Sequence, residues 1–320
     1  MKKYFILFLL TISTFLAAEE KEQIELISKW QTGKGNFAFG TSLSYGKIGN
    51  KEVNIINIGS KTNLENNLLF SNNVPRNLVD LGIFSASSNG TYLAYGLTNN
   101  SMLYFSADLF SEIENYQYFI GNNLTASYVY SNKMSKYFEI DVAPYLTLPF
   151  IGINKNHNNS YENESFDQPF ILGFNFVASL MTEFVFLDFI FNYSTSSEIK
   201  TEEMEGEYYY DDHNSPGIDS YAFALYLGVN YKDIFTLKAG FILNMFEAVN
   251  HIIEIGGNNQ IATELKINDF LKFGITYETG STSYFPLNDS VNIIPEDVDE
   301  EYYDNSAIYH SLTAKVQFIF

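Results

Sequence analysis

From residue 37 to its end the chain alternates, stretch after stretch, between apolar side chains and small or polar ones. Successive side chains on a strand point to opposite faces, so each stretch reads as a strand with one apolar side and one wet side. Phe37, Phe39, Leu43 and Tyr45 oppose Ala38, Gly40, Ser42 and Ser44, and Phe138, Ile140, Val142, Leu146 and Leu148 oppose Glu139, Asp141, Tyr145 and Thr147. The last stretch sets Ile308, Leu312, Ala314, Val316, Phe318 and Phe320 against Ser311, Thr313, Lys315 and Gln317, and it stops on a bare aromatic. Charge follows the same division. Asp80, Asp108, Glu139, Asp141, Asp188, Lys238, Glu264, Lys266, Lys272, Glu278 and Lys315 all fall on the face opposite the aromatic and aliphatic residues. A charge turned toward lipid near the bilayer midplane costs roughly 2–4 kcal/mol, so this one-sidedness is what a lipid-facing apolar surface requires. An antiparallel sandwich with a charged outer face has the same periodicity.

The connections separate the two. Tight turns at Thr98-Asn99-Asn100, Met181-Thr182-Glu183, Lys232-Asp233 and Asn268-Asp269 alternate with long polar segments around 151–168, 197–219, 247–257 and 281–306. Short turns on one side and long loops on the other are the rhythm of an outer-membrane barrel. The expected fold is therefore all-β, a transmembrane antiparallel up-and-down β-barrel of 12 to 14 strands. Residues 78–86 and 90–97 read as a hairpin and 51–60 as a weak strand; counting all gives fourteen, and twelve remain if one pair only extends the wall. Either number is even and leaves both termini on the periplasmic side. Pro144 cannot donate to a ladder, and a bulge or bend is expected there.

Composition agrees. The 29 Phe and 24 Tyr against seven Pro and one Trp favour strands. A net charge of −20 and a single arginine, Arg76, argue against nucleic acid and against a strongly anion-selective pore. Without cysteine there is no disulfide, thiolate metal site, lipid-modified N-terminal Cys or cysteine nucleophile. At the N-terminus, Met1-Lys2-Lys3, an apolar run from Tyr4 to Leu16, and Leu16-Ala17-Ala18 before Glu19-Glu20 read as a signal peptide over residues 1–18. Residues 19–34, with Ile24, Leu26, Ile27 and Trp30 among charged neighbours, form a periplasmic leader or short helix, and 35–320 the barrel.

The alternating terminal strand ending in Phe320 resembles the C-terminal signature of bacterial outer-membrane β-barrels. That resemblance implies residence in the outer membrane among lipid and lipopolysaccharide, and reading of Phe318 and Phe320 by the barrel-assembly machinery. Tyr95-Gly96-Leu97-Thr98-Asn99-Asn100, followed by Ser101-Met102-Leu103-Tyr104-Phe105, is similar to a hairpin of the meta-pathway phenol-degradation-associated (MetA-like) barrel family. Its implication is an uptake channel for small, often aromatic, compounds.

Residues for catalysis are not arranged for it. His310-Ser311 is the one adjacent His/Ser pair, and neighbours on a strand point to opposite faces. No enzyme activity, cofactor or metal is expected. Acidic stretches (Glu202, Glu203, Glu205, Glu207, Asp211, Asp212; then Glu296, Asp297, Asp299, Glu300, Glu301, Asp304) lack the glycine and spacing of a calcium loop and read as solvated loops beside Tyr208-Tyr209-Tyr210 and Tyr302-Tyr303. The wet-face charges line the lumen in this reading. Two functions follow: a passive channel or uptake barrel for small solutes, its narrow pore mildly cation-preferring, or a plugged structural or surface-interaction barrel acting through its acidic, Tyr-rich loops.

Overall fold

A computed structural model describes residues 31–48, 53–58, 91–107, 109–113, 117–120, 123–149, 153–156, 170–196, 218–232, 234–248, 251–284 and 306–320. Every regular element among them is a strand: β1 (Phe37–Ile48), β2 (Val53–Ile58), β3 (Thr91–Thr98), β4 (Ser101–Ala107), β5 (Phe110–Ile113), β6 (Gln117–Ile120), β7 (Asn123–Ser135), β8 (Phe138–Pro149), β9 (Ile153–Asn156), β10 (Ile171–Met181), β11 (Val185–Ser196), β12 (Ile218–Tyr231), β13 (Phe235–Ala248), β14 (His251–Asn268), β15 (Leu271–Tyr284) and β16 (Ser306–Ile319). Twelve of these run β1-β3-β4-β7-β8-β10-β11-β12-β13-β14-β15-β16, each antiparallel to the next, and β16 pairs back onto β1. The sheet is thus a closed cylinder, which removes its edges. The end carrying the tight turns, and Phe37 and Phe320 with them, is called the lower end below.

Alternation divides the wall as its sequence predicts. Phe39, Leu43, Phe105, Tyr128, Val142, Phe174, Phe189, Leu225, Phe241, Ile275 and Leu312 are exposed on the outer surface, while Ser42, Ser127, Asp141, Asn175, Asp188, Lys238, Gln260 and Thr313 are buried within. Lys47 and Asp219, charged residues on the outer parity, sit near the upper strand ends. Large rings need room on a crowded inner wall, and glycines opposite them supply it. The rings of Tyr92, Tyr145, Phe186 and Tyr226 lie across Gly40, Gly173, Gly228 and Gly240 of the neighbouring strand, where a Cβ would overlap each ring. Flattened against the wall, these rings stay out of the barrel centre.

One stave is composite. β1 pairs β3 through residues 37–40 and β2 through residues 43–48, so β2 stands above β3 in one position of the wall. A Thr41 Oγ1···Thr91 Oγ1 bond of 2.9 Å marks the changeover. The ladder continues above as β2-β5-β6-β9, where β5 follows β4 in the chain, β6 precedes β7 and β9 follows β8. The weak strand expected at 51–60 is this extension, and twelve staves remain. The partner expected at 78–86 lies outside the described residues.

Two local expectations are corrected. Pro144 makes no bulge: Ser127↔Tyr145 and Tyr130↔Val142 keep one register on either side of it, and the Ser127 hydroxyl donates to the Pro144 carbonyl at 2.8 Å. The hydroxyl satisfies the Pro144 carbonyl, and the register is kept although the donor that proline lacks is not replaced. Residues 247–257 are no long loop, since β13 runs to Ala248, β14 starts at His251, and a bulge at Phe246/Glu247 takes up the twist. Gly256, Gly257, Asn258 and Asn259 have loop composition but pair with Asn244, Leu243, Ile242 and Phe241 as wall.

The N-terminal approach to β1 turns inward. Gly33 and Gly35, with φ of 85° and 81°, take backbone conformations that favour glycine. Gly35 N–H donates to the Gly96 carbonyl at 2.8 Å, Gln31 Nε2 donates to the buried Ser131 Oγ at 2.8 Å, and a Cβ at Gly96 would overlap the Gly33 carbonyl. Residues 31–36 thus form a strap seated against the inside of β3 and β7 at the lower end.

Candidate functional site on the inner wall

Strand register arranges the inner residues in rows. One row runs Glu139, Ser179, Asp188, Tyr226, Gly240, Gln260, Glu278 across β8, β10, β11, β12, β13, β14 and β15. The next row up runs Asp141, Val177, Ile190, Ala224, Ile242 and Asn258 across the first six of these strands. Above it, Asn175 and Asn192 stand opposite one another. Of the expected lumen residues, Glu139, Asp141, Asp188, Lys238, Glu278 and Lys315 lie in this interior with at most 8% of their surface exposed. Glu264, Lys266 and Lys272 share the inner parity nearer the lower end and are partly exposed. Asp80 and Asp108 lie outside the described residues, as do the two acidic Tyr-rich stretches.

The charges sort into distinct environments. Glu278 is held by amides: Asn258 Nδ2 and Gln260 Nε2 each donate to one of its oxygens at 3.1 Å, and Tyr226 OH donates to Gln260 Oε1 at 2.9 Å. Lys238 Nζ lies 4.4 Å from the centre of the Tyr226 ring and Lys315 Nζ 5.3 Å from that of Tyr92, positions in which an aromatic face partly offsets the cost of burying a cation. Tyr92 also stacks on Tyr104 with centroids 5.2 Å apart. Lower down, Lys272 pairs with Glu264 at 3.1 Å and Lys266 with Asp269 at 2.7 Å. At that turn the Lys266 ammonium holds the Asp269 carboxyl below the usual range.

Glu139, Asp141 and Asp188 are three carboxylates on β8 and β11, with Ser179 of β10 between two of them and the apolar Val177 and Ile190 bordering them. Around them Asn192 Nδ2 donates to Tyr145 OH at 3.1 Å and to Asn175 Oδ1 at 2.7 Å. Lys133, on the inner parity of β7 opposite Glu139, was missed from sequence because its stretch carries polar residues on both faces. The amide ladder, the ring-over-glycine pairs and the inner apolar stripe were missed too. The first two depend on cross-strand register, and the third on apolar residues appearing on both faces of β10 and β11.

On the outer surface, His310 and Ser311 fall on opposite sides of the wall: His310 Nδ1 shares a 2.9 Å bond with the exposed Tyr277 hydroxyl, and Ser311 is buried inside. Phe318 and Phe320 sit outside at the lower end, their rings stacked at 6.4 Å. Exposed aromatics mark that end throughout, with Tyr137, Phe184, Tyr231, Phe235 and Phe270 at the turns.

No protein-family model matches the sequence, and no curated protein matches it. Among solved structures the chain is similar to the NanC porin (9% identity, 87% of this chain and 98% of that chain, TM-score 0.45). It is also similar to an outer membrane channel from Pseudomonas putida F1 (10% identity, 94% and 100% covered, TM-score 0.49) and to a mutant of the TodX monoaromatic hydrocarbon channel (9% identity, 89% and 90% covered, TM-score 0.42). At such identity and overlap, function is argued from this chain's own geometry.

Proposed function

We propose that this protein is a bacterial outer-membrane barrel that passes small solutes passively through a narrow interior with a mild preference for cations. The observation that carries it is the inversion of the wall: a closed cylinder with an apolar band outside, charge on that side lying toward the strand ends, and carboxylates, lysines, amides and hydroxyls inside. A soluble protein does the reverse, because an exposed apolar surface of this extent is unfavourable in water. Strands of 11 to 14 residues in β10, β11, β12 and β13 exceed the ~9–11 that a tilted strand needs to cross a bilayer. The aromatics at the lower turns suit a membrane interface, and Phe318 and Phe320 suit recognition by assembly machinery. Lipid and lipopolysaccharide are then its surroundings, and 1–18 its signal peptide.

Barrels of about eight strands fill with side chains and those of sixteen or more leave a water channel, so twelve supports a narrow passage. Cation preference is supported by the unequal setting of the charges. Glu139, Asp141 and Asp188 share one sector of β8 and β11, whereas the inner lysines are spread one to a strand over β7, β13, β14, β15 and β16. The hairpin at 95–105 adds small aromatic compounds to the solutes worth testing. A second reading, a plugged barrel acting through its loops, is favoured by the near-complete burial of Glu139, Asp141, Asn175 and Ile190. Single-channel recording from residues 19–320 refolded into planar bilayers under a salt gradient decides: steady cation-preferring steps support the channel, and silence from a demonstrably inserted, heat-modifiable barrel selects the plugged reading.

A further inference from the structure

We propose that residues 19–30, once residues 1–18 are removed, turn back into the barrel as an internal plug rather than extending into the periplasm; the proposal rests on the channel reading and names what narrows its interior. Much of the inner wall is made of small residues with no surface left to water. Asn175, Ser179, Asn192, Ser194, Ser220 and Ala222 of β10, β11 and β12 face inward and are 0% exposed. A barrel of about eight strands is just filled by its own side chains, and twelve strands enclose a wider space. Side chains as short as serine and alanine do not reach across it, and the rings of Tyr145, Phe186 and Tyr226 lie over glycines of the wall. Something other than the wall covers these positions.

The strap points to the source of that cover. It crosses the lower mouth inward: Lys34 N–H donates to Asn99 Oδ1 at the turn between β3 and β4, at 3.2 Å, and three residues earlier Gln31 reaches Ser131 on the inner face of β7. Gln31 Oε1 and Thr32 Oγ1 are themselves buried, so the chain is already covered where it leads into residue 30. Ser131 begins a row that continues through Asp141, Val177, Ile190, Ala224 and Ile242. Strands are ~4.8 Å apart, so Val177 and Ile190 lie only ~10–14 Å along the wall from Ser131. Twelve residues span ~18 Å as a helix and about 40 Å extended, and either form reaches them.

The segment has the side chains for this seat. Ile24, Leu26, Ile27 and Trp30 fall on one side of a helical wheel, an apolar side that matches the buried Val177, Ile190, Ala224 and Ile242. Lys29 lies two residues from Gln31, whose anchor Ser131 is the cross-strand neighbour of Asp141, and the four glutamates of the segment lie at 25 or earlier, farther from that anchor. The acidic stretches around 202–212 and 296–304 are poorer occupants. They would bring more carboxylates to a sector that already holds Glu139, Asp141 and Asp188, and like charges in a confined site oppose ionisation.

Trp30 is the only tryptophan of the chain, and there is no cysteine, so both can serve as unique probes. In residues 19–320 folded into vesicles, Trp30 fluorescence should be quenched several-fold less by aqueous acrylamide than in the urea-unfolded chain, and not by lipid with brominated acyl chains. Ile190→Cys should react with a small charged methanethiosulfonate at least about tenfold more slowly in that chain than in a barrel lacking residues 19–30, a protection of ~1.4 kcal/mol. Heat-modifiable migration confirms that each variant is folded. If the deletion does not fold, Leu26→Asp with Ile27→Asp in the otherwise intact chain replaces it, and Ala224→Cys likewise replaces Ile190→Cys. Free quenching of Trp30 by acrylamide places the segment in water, quenching by brominated lipid places it at the membrane, and either overturns the plug. Equal cysteine reactivity with and without residues 19–30 overturns it too, since slow reaction in both means another occupant and fast reaction in both an open interior. Conductance judges the channel reading separately. A deleted barrel that gains reactivity but never conducts keeps the plug and overturns the channel, whereas one that conducts with reactivity unchanged overturns the plug alone.

Discussion

Phe37 and Phe320 exchange both of their backbone hydrogen bonds, Phe37 N–H to Phe320 carbonyl at 3.0 Å and Phe320 N–H to Phe37 carbonyl at 2.8 Å. The final residue of the chain therefore closes the cylinder against the first residue of the first strand. Its ring meanwhile is 67% exposed on the outer surface. Backbone and side chain of Phe320 thus have separable tasks, closure and surface presentation.

Phe320→Ala keeps both backbone bonds, and deletion of Phe320 removes them. Each is worth about 1 kcal/mol net, so deletion should lower the urea unfolding free energy by roughly 2 kcal/mol and the substitution by much less. If the ring is read during assembly, both variants should slow insertion into membranes containing assembly machinery to a similar extent. Equal losses of stability in the two variants would sink the separation.

The lower strap offers a second test. Gly96 leaves no space for a side chain beneath Gly33, and overpacking costs typically 1–3 kcal/mol. Gly96→Val should lift residues 31–36 off β3, speeding trypsin cleavage after Lys34 and raising conductance if the strap narrows the lower mouth. Unchanged cleavage would mean that the strap is held elsewhere.

The division into inner and outer faces was legible because two properties coincide in it, a period of two and the confinement of charge to one phase. Strand identity followed wherever both faces were distinct, as in β8 and β16. It failed at Gly256-Gly257-Asn258-Asn259, whose polarity reads as a loop, since residues that face a wet interior share the composition of residues that face water. The composite stave was hidden for a different reason. Nothing local in Val53–Ile58 says that it stands above Thr91–Thr98; only pairing of both with β1 does. Individual site residues on the charged face were readable, but their partners, such as the amides on Glu278 and the tyrosine under Lys238, depend on register between strands.

Depth dependence should appear on the outer surface. Leu225 lies outside near the middle of β12, whereas Phe270 projects from a lower turn. Leu225→Lys should cost roughly 2–4 kcal/mol in vesicles and Phe270→Lys about 0–1. Similar costs at both sites, measured by urea unfolding in lipid, would argue against a bilayer around the apolar band.

Inside, Glu264 of β14 and Glu278 of β15 should respond unequally. Glu278→Ala strands the Asn258 and Gln260 donors in a buried site and should cost ~1–3 kcal/mol. Glu264→Ala breaks a partly exposed pair with Lys272 and should cost less than about 1 kcal/mol. The same unfolding assay ranks them, and a larger loss at Glu264 would contradict the amide ladder as the stronger tie.

The ring-over-glycine pairs predict a compensating double substitution. The atoms nearest a Cβ at Gly40 all belong to the Tyr92 ring, so Gly40→Ala must push that ring off the wall, away from Lys315 and from its stacking on Tyr104. Gly40→Ala alone is expected to cost ~1–3 kcal/mol as overpacking. Tyr92→Ala alone loses the ring's contacts and should also destabilise. In the double variant the new methyl meets no ring, so its cost should fall below the sum of the single costs by at least about 1 kcal/mol, a coupling of the size expected for residues in contact. Conductance gives an independent reading. A displaced Tyr92 should narrow the interior in Gly40→Ala, and removing the ring in the double variant should restore or exceed the original conductance. Strict additivity in stability, together with unchanged conductance in Gly40→Ala, would mean that the ring has room to move without entering the interior.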